Sequence, residues 1–253
     1  MSLNQNGPST VLITGAAGGI GQALVREFQA AGYQVVATDL VPQPLAWPGV
    51  TYFQADLART VVDEAYAATV FARVRKHLAG QGLKVLVNNA AVQILGGMEQ
   101  LTRQDWNQTL RVNVLAPFFW TQALLPELEA GRGSVLNISS IHARLTKRDF
   151  VAYATSKAAL SGMTRALAVD LGPRVRVNAI EPAAIETDML KAGFAEQPER
   201  FRRLEGCHPR QRIGQPEEVA RLALAIVGGR MGFLHGACIG LDGGIAARLF
   251  DPD

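Results

Sequence analysis

The chain alternates, almost end to end, between short runs of β-branched residues and longer segments with helical periodicity. Residues 11–14 form the first apolar run and lead into a segment that places Ile20, Leu24 and Phe28 on one helical face. Residues 34–39 and 50–56 read as two further strands, 61–78 as a helix and 84–88 as a fourth strand. A long helix over 103–128, a strand at 133–139, a helix over 152–171, a strand at 174–180, a helix over 217–227 and a strand at 237–241 complete the pattern. Strands this uniformly apolar need cover on both faces, and strands separated by helices pair in parallel through right-handed crossovers. The expected fold class is therefore α/β, a doubly wound parallel sheet of about seven strands with helices on both faces. Residues 183–215 interrupt the alternation: the segment is charged, carries Pro198 and Pro209, and is too long for a plain connection. One domain over 1–253, with a substrate lid at about 183–215, is the expected organisation.

The pattern sits in 253 residues, 48% hydrophobic and 19% charged, an ordinary balance for a globular protein. No apolar run approaches the ~20 residues of a membrane-spanning helix. The first ten residues lack both a basic region and an apolar core, so they read as a short disordered lead-in and not as a signal peptide. Cys207 and Cys238 make no disulfide framework, and neither they nor the four histidines show metal-ligand spacing. A cytoplasmic protein that requires no metal is expected. The net charge of +3 is spread over short clusters such as 73–76 and 200–203, without interleaved aromatics. Solvated helix faces explain them better than a nucleic-acid footprint.

Between the first strand and the first helix stands Thr14-Gly-Ala-Ala-Gly-Gly-Ile-Gly21. Glycines there allow a tight turn and let amides at the helix N-terminus approach a pyrophosphate. A plain strand–helix turn is the simpler account, but the loop's place in the first βα unit favours a dinucleotide site and a Rossmann-type sheet. The glycines at 15, 19 and 21 depart from the Gly-x-Gly-x-x-Gly fingerprint. Asp39 ends the second strand, 18 positions after Gly21. A carboxylate there accepts adenosine ribose hydroxyls and repels a 2′-phosphate, and the loop holds no Arg or Lys to bind one. A turn or capping role is the alternative for Asp39; both observations favour NAD.

Tyr153 and Lys157 are four residues apart in a helical segment and so share a face. Free tyrosine titrates near ~10. A cation at i+4 and the positive ring of an oxidised nicotinamide both favour the phenolate, which predicts a lowered pKa and a working acid or base. Ser140 follows the fifth strand at the rim where such sheets place ligands, while Ser139 points to the other face by alternation. Taken singly, a polar strand end and a solvated helix face account for these residues.

Taken together they resemble the short-chain dehydrogenase/reductase family, in its main branch of NAD(P) enzymes, from Thr14 to Gly244. TGAAGGIG matches the family loop TG-x-x-x-G-x-G, which accounts for the glycine spacing. Asp56-Leu57 matches the pair that contacts adenine, and Asn88-Asn-Ala-Ala91 is similar to the NNAG segment with Ala91 for glycine. Asn113 matches the helix asparagine whose backbone holds a water linking the lysine to solvent. Residues 181–187, Glu-Pro-Ala-Ala-Ile-Glu-Thr, are similar to the segment that holds the nicotinamide carboxamide, with Ala183 in place of its glycine. An alanine required at positive φ there would be strained. Ser140, Tyr153 and Lys157 match the catalytic serine, tyrosine and lysine.

The resemblance implies an NAD-dependent oxidoreductase that interconverts a secondary alcohol and a carbonyl by hydride transfer. In it Tyr153 exchanges the proton, Lys157 lowers the tyrosine pKa and binds ribose, Ser140 orients the substrate oxygen, and Asn113 supports a proton wire. The implied cofactor contacts are Gly15, Ala17, Gly19, Ile20, Gly21, Asp39, Asp56, Leu57, Asn89, Ala90, Tyr153, Lys157, Pro182, Ile185 and Thr187.

Substrate identity is encoded less directly. His142, Arg144, Lys147 and Arg148 lie between Ser140 and Tyr153, and their charge points to a small polar hydroxy compound: a sugar, polyol or hydroxy acid. A solvated charged loop is the competing account. Gln93, Ile94, Glu186, Cys207, His208 and Arg210 are further candidates. Apolar faces on 103–128 and 152–171 are candidate subunit contacts, and the resemblance implies a homotetramer, with a dimer as fallback. A non-catalytic NAD-binding regulator of the same fold is the alternative function; the presence of both Tyr153 and Lys157 argues against it.

Overall fold

The computed structural model describes residues 9–42, 47–194 and 197–249. The N-terminal lead-in falls almost wholly outside them. The elements in chain order are β1 (Thr10–Thr14), α1 (Gly19–Ala30), β2 (Gln34–Asp39), β3 (Val50–Gln54), α2 (Leu57–Val62), α3 (Glu64–Leu78), β4 (Val85–Asn88), α4 (Arg103–Leu110), α5 (Ala116–Ala123), α6 (Leu125–Ala130), β5 (Ser134–Ile138), α7 (Val151–Leu171), β6 (Arg176–Pro182), α8 (Asp188–Ala192), α9 (Pro198–Cys207), α10 (Pro216–Val227) and β7 (Cys238–Leu241).

The strands form a seven-stranded sheet in the order β3-β2-β1-β4-β5-β6-β7, every neighbouring pair parallel. Strand alternation divides the core between its two faces. Val11 and Ile13 of β1 pack with Leu24 and Phe28 of α1 and Ile226 of α10. Leu12 turns the other way, toward Val74 of α3, Trp120 of α5 and Val135 of β5. Both faces are covered, as the unbroken apolar strands require. The strand order reverses between β1 and β4, and the crevice beyond their carboxyl ends is where such sheets bind ligands.

Three boundaries differ from the sequence expectation, each for a local reason. The helix expected at 61–78 starts earlier and is cut in two at Asp63, whose extended backbone ends α2 and whose carboxylate caps α3 by accepting from Tyr66 N. The long helix expected over 103–128 contains a π turn, Arg111–Leu115, and breaks at Leu124 before α6. Pro117 has no N–H to give the carbonyl of Asn113, so the α-type bond to that carbonyl cannot form. The 183–215 segment contains α8 and α9, and an Ile185–Gly214 bridge ties its two ends together. Pro198 and Pro216 stand at helix starts, where a missing N–H costs nothing.

Candidate active site

The glycine loop is built on backbone contacts closer than any side chain permits. Gly15 has φ 65°, and a Cβ there would lie 2.6 Å from Ala90 Cα. A Cβ on Gly21 would lie 2.1 Å from the Gly15 carbonyl oxygen. Thr14 fastens this turn to β4: Asn89 N and Ala90 N both donate to its Oγ1 at 3.1 Å, and Asn89 Nδ2 donates to the carbonyls of Thr14 and Gly15. α1 then begins at Gly19 with no side-chain cap and no acidic residue in its first turn. Such an end leaves first-turn N–H groups and the positive pole of the helix to an anion, so the loop fits a dinucleotide pyrophosphate. Ile20, behind it, packs onto the core.

Asp39 lies at the end of β2 beside this loop. Its Oδ2 accepts from Ala17 N at 2.9 Å and its Oδ1 from Leu40 N at 2.7 Å. Asp56 caps α2 by accepting from Arg59 N, Tyr66 Oη accepts from Asp56 N, and Leu57 is buried behind it. On the other flank, Pro182 and Ile185 are buried, Ala183 N donates to Leu241 O, and Thr187 lies so near the loop that a Cβ on Gly19 would meet its Cγ2 at 2.9 Å. Ala183 is not at positive φ, so replacing the family's glycine costs no backbone strain.

Ser140, Tyr153 and Lys157 converge at the ends of β5 and α7. Ser140 Oγ accepts from His142 N at 3.2 Å, capping a short 3₁₀ turn, Ile141–Ala143, and its hydroxyl lies close enough to Tyr153 to favour the phenolate. Lys157 is 2% exposed; its Nζ donates to Ile138 O at 2.8 Å and lies 5.7 Å from the centre of the Tyr153 ring. The lysine places no lowered pKa on the tyrosine in this state. Burial pushes Tyr153 up, against a smaller lowering from the Ser140 hydrogen bond, and burial pushes Lys157 down to about 8. The expected direction for Tyr153 is corrected on that ground: a desolvated phenol keeps its proton until further positive charge arrives.

Asn113 sits in the π turn. Its Oδ1 accepts from Val92 N, and its Nδ2 donates to Val92 O and Ser156 Oγ, all at 2.9 Å. Its side chain thus fixes the chain after β4 while its carbonyl is released from the α-helical pattern.

The loop residues offered as substrate contacts divide. Arg144 turns to Glu181 of β6, with Nε 2.7 Å from Oε2. Lys147 lies over the Phe150 ring at 4.7 Å. His142 stacks on Phe150 with ring centres 4.3 Å apart, and Tyr153 meets both rings edge-on. Burial, then Lys147, pushes His142 down to about 4, so it is uncharged at neutral pH. In the 183–215 segment, Glu186 pairs with Lys191 and accepts from Gln215, while His208 is buried with Nδ1 on Leu204 O. Gln93 and Arg210 are exposed, and Ile94 and Cys207 are partly buried. Phe150, Ser161 and Glu181 were missed by the sequence reading; only Glu181 left a signal there, a charge at the end of an apolar strand.

A glycine cradle at a strand-order reversal, with a Ser–Tyr–Lys group beside it, defines a class of protein. The family model described as Enoyl-(Acyl carrier protein) reductase, of the short-chain dehydrogenase/reductase type, matches residues 15–246. The chain belongs to the short-chain dehydrogenase/reductase family, whose members bind a nicotinamide cofactor and act as oxidoreductases. It is 35% identical to Protein FixR of Bradyrhizobium diazoefficiens, over 94% of this chain and 86% of that one. It is 31% identical to trans-4-hydroxycyclohexanecarboxylate dehydrogenase of Sinomonas cyclohexanicum, over 93% and 92%. Among solved structures it is similar to the aldohexose dehydrogenase AldT of Thermoplasma acidophilum, with 26% identity, a TM-score of 0.90 and coverage of 98% and 97%.

Proposed function

We propose that the chain interconverts a secondary alcohol and the corresponding carbonyl, with NAD as cofactor and Tyr153 as general acid and base. The observation that carries the reading is the convergence of Tyr153, Ser140 and Lys157 beside the glycine cradle. The bound nicotinamide supplies the hydride acceptor or donor and, when oxidised, a positive charge. Ser140 Oγ is held by the His142 N–H, and its one proton turns from Tyr153 to a substrate oxygen when substrate binds. Tyr153 passes its proton to a carbonyl oxygen or takes one from a hydroxyl. Lys157, charged at neutral pH and buried, stabilises the phenolate and holds a ribose hydroxyl. Asn113, through the carbonyl its π turn releases, supports proton exchange with solvent. Asp39, at the glycine loop, receives the adenosine ribose and disfavours a 2′-phosphate.

The substrate we infer is a small hydroxy compound. Arg144 is paired to Glu181 and so is not the cation that would receive a substrate carboxylate, while of two similar proteins one is named for a hydroxylated ring carboxylate and the other for an aldohexose, so sugars, polyols and hydroxy acids all stay within the class. Residues 183–215 form the lid in this reading, and the protein is cytoplasmic. The test is NADH absorbance with a panel of sugars, polyols, hydroxy acids and cyclic alcohols, run with NAD and with NADP. We expect turnover confined to the hydroxylated members and faster with NAD. Dinucleotide binding without turnover on any member would favour the regulator instead.

A further inference from the structure

A buried carboxylate stands behind the candidate catalytic residues, and no step above uses it. Glu181 is 1% exposed, at the end of a β6 run that is otherwise Val-Asn-Ala-Ile. Its Oε2 accepts from Arg144 Nε at 2.7 Å, and its Oε1 accepts from Ser161 Oγ of α7 at 2.8 Å. Ser161 Oγ is 2.8 Å from Ser139 Oγ, which donates to the backbone carbonyl of Lys157 at 3.1 Å. The Lys157 side chain returns to Ile138 O, so β5 and α7 are tied twice at this level. The turn after Ser140 is closed by Arg144 N and Leu145 N, both donating to Ile141 O. Arg144 is where the side chains of that turn reach β6.

Stability alone is a poor reason for this arrangement. Removing a carboxylate from water costs several kcal/mol, and a packed apolar residue at such a position is often as stable or more so. What the pair does achieve is geometric. It joins the Ser140 turn to β6 and, through Ser161 and Ser139, to the turn of α7 that carries Lys157.

We propose that Glu181 and Arg144 are a positioning pair, which holds the Ser140 hydroxyl and the Lys157 amine in register for the alcohol–carbonyl reaction. The inference rests on the oxidoreductase reading.

The test uses Glu181→Gln, Arg144→Met, Arg144→Lys and the double variant Glu181→Gln/Arg144→Met, which leaves no lone buried charge. With a substrate found in the panel, kcat falls about 10- to 100-fold in Glu181→Gln and Arg144→Met, the size expected when reacting groups shift by about 1 Å. The KM for dinucleotide stays within about twofold, the double variant is no worse than the poorer single one, and Arg144→Lys recovers part of the loss. Amide hydrogen exchange in the same variants speeds up over residues 142–145 more than over β1 and β2. A kcat within about twofold of wild type with only a lowered thermal midpoint, or exchange that accelerates equally everywhere, would overturn the proposal. A wild-type chain with no turnover sinks the oxidoreductase reading, while the exchange measurement still reports whether the pair anchors the turn.

Discussion

The Lys157 amine gives up its proton more readily in the folded chain than in water, and this has a consequence for stability. Its pKa falls from 10.5 to about 8 on burial. Between those values the unfolded chain holds a proton that the folded chain has released, so stability rises with pH across that window. Below pH 8 the folded protein bears the cost of a buried charge, on the order of a few kcal/mol. The difference in urea midpoint between Lys157→Met and wild type therefore shifts in favour of wild type from pH 8 to 10.5; a pH-independent difference would contradict the assignment. At Asp39, replacing the carboxylate by alanine lowers the ratio of kcat/KM for NAD to that for NADP by about tenfold or more, with part of the loss arising from the freed Ala17 amide. Ser140, Tyr153 and Lys157 were legible because helical spacing and a strand end place them with few assumptions. The Tyr153 titration was not, since its sign depends on burial that only packing supplies. Nor was the fate of Arg144 and Lys147, whose partners Glu181 and Phe150 are set by tertiary contact and loop path.

The π turn is the element where local chemistry and function meet. Asn113 replaces lost helical order by holding both the N–H and the carbonyl of Val92. Asn113→Ala leaves these groups and Ser156 without that partner, and should cost about 2–3 kcal/mol in denaturant unfolding. A loss below about 0.5 kcal/mol would mean that water replaces the side chain fully. Pro117 announced an irregularity in the sequence, but apolar periodicity continued past it, so the helix was read straight through. The same ambiguity applied to residues 183–215. Pro198 interrupts the sequence pattern there, whereas in the structure it opens α9. Glycine positions were clearer. Gly19→Ala drives a methyl into Thr187 and should weaken dinucleotide binding about tenfold or more, measured by fluorescence titration.

At the scale of the whole molecule the strand order follows from the alternation of strand and helix, with β1 and β4 adjacent so that the glycine loop and the Asn89–Ala90 turn face each other. That architecture was legible because parallel pairing and crossover handedness leave few alternatives. Association is written less locally. Leu115 at the end of the π turn, Phe119 on α5, Val169 on α7 and Phe233 before β7 all remain exposed, and these are the candidate contacts for the homotetramer that the family resemblance implies. Sedimentation at micromolar concentration is expected to give a tetramer or, failing that, a dimer; a monomer would refute both. The central claim is that a buried phenol moves the proton. Initial rates of alcohol oxidation from neutral to alkaline pH, in wild type and Tyr153→Phe, test it most directly. Because burial holds the Tyr153 proton at neutral pH, the wild-type rate should climb as pH rises, and the variant should lose about 10²–10⁴-fold while still binding dinucleotide. A variant within about tenfold of wild type, with the same pH profile, would contradict the account.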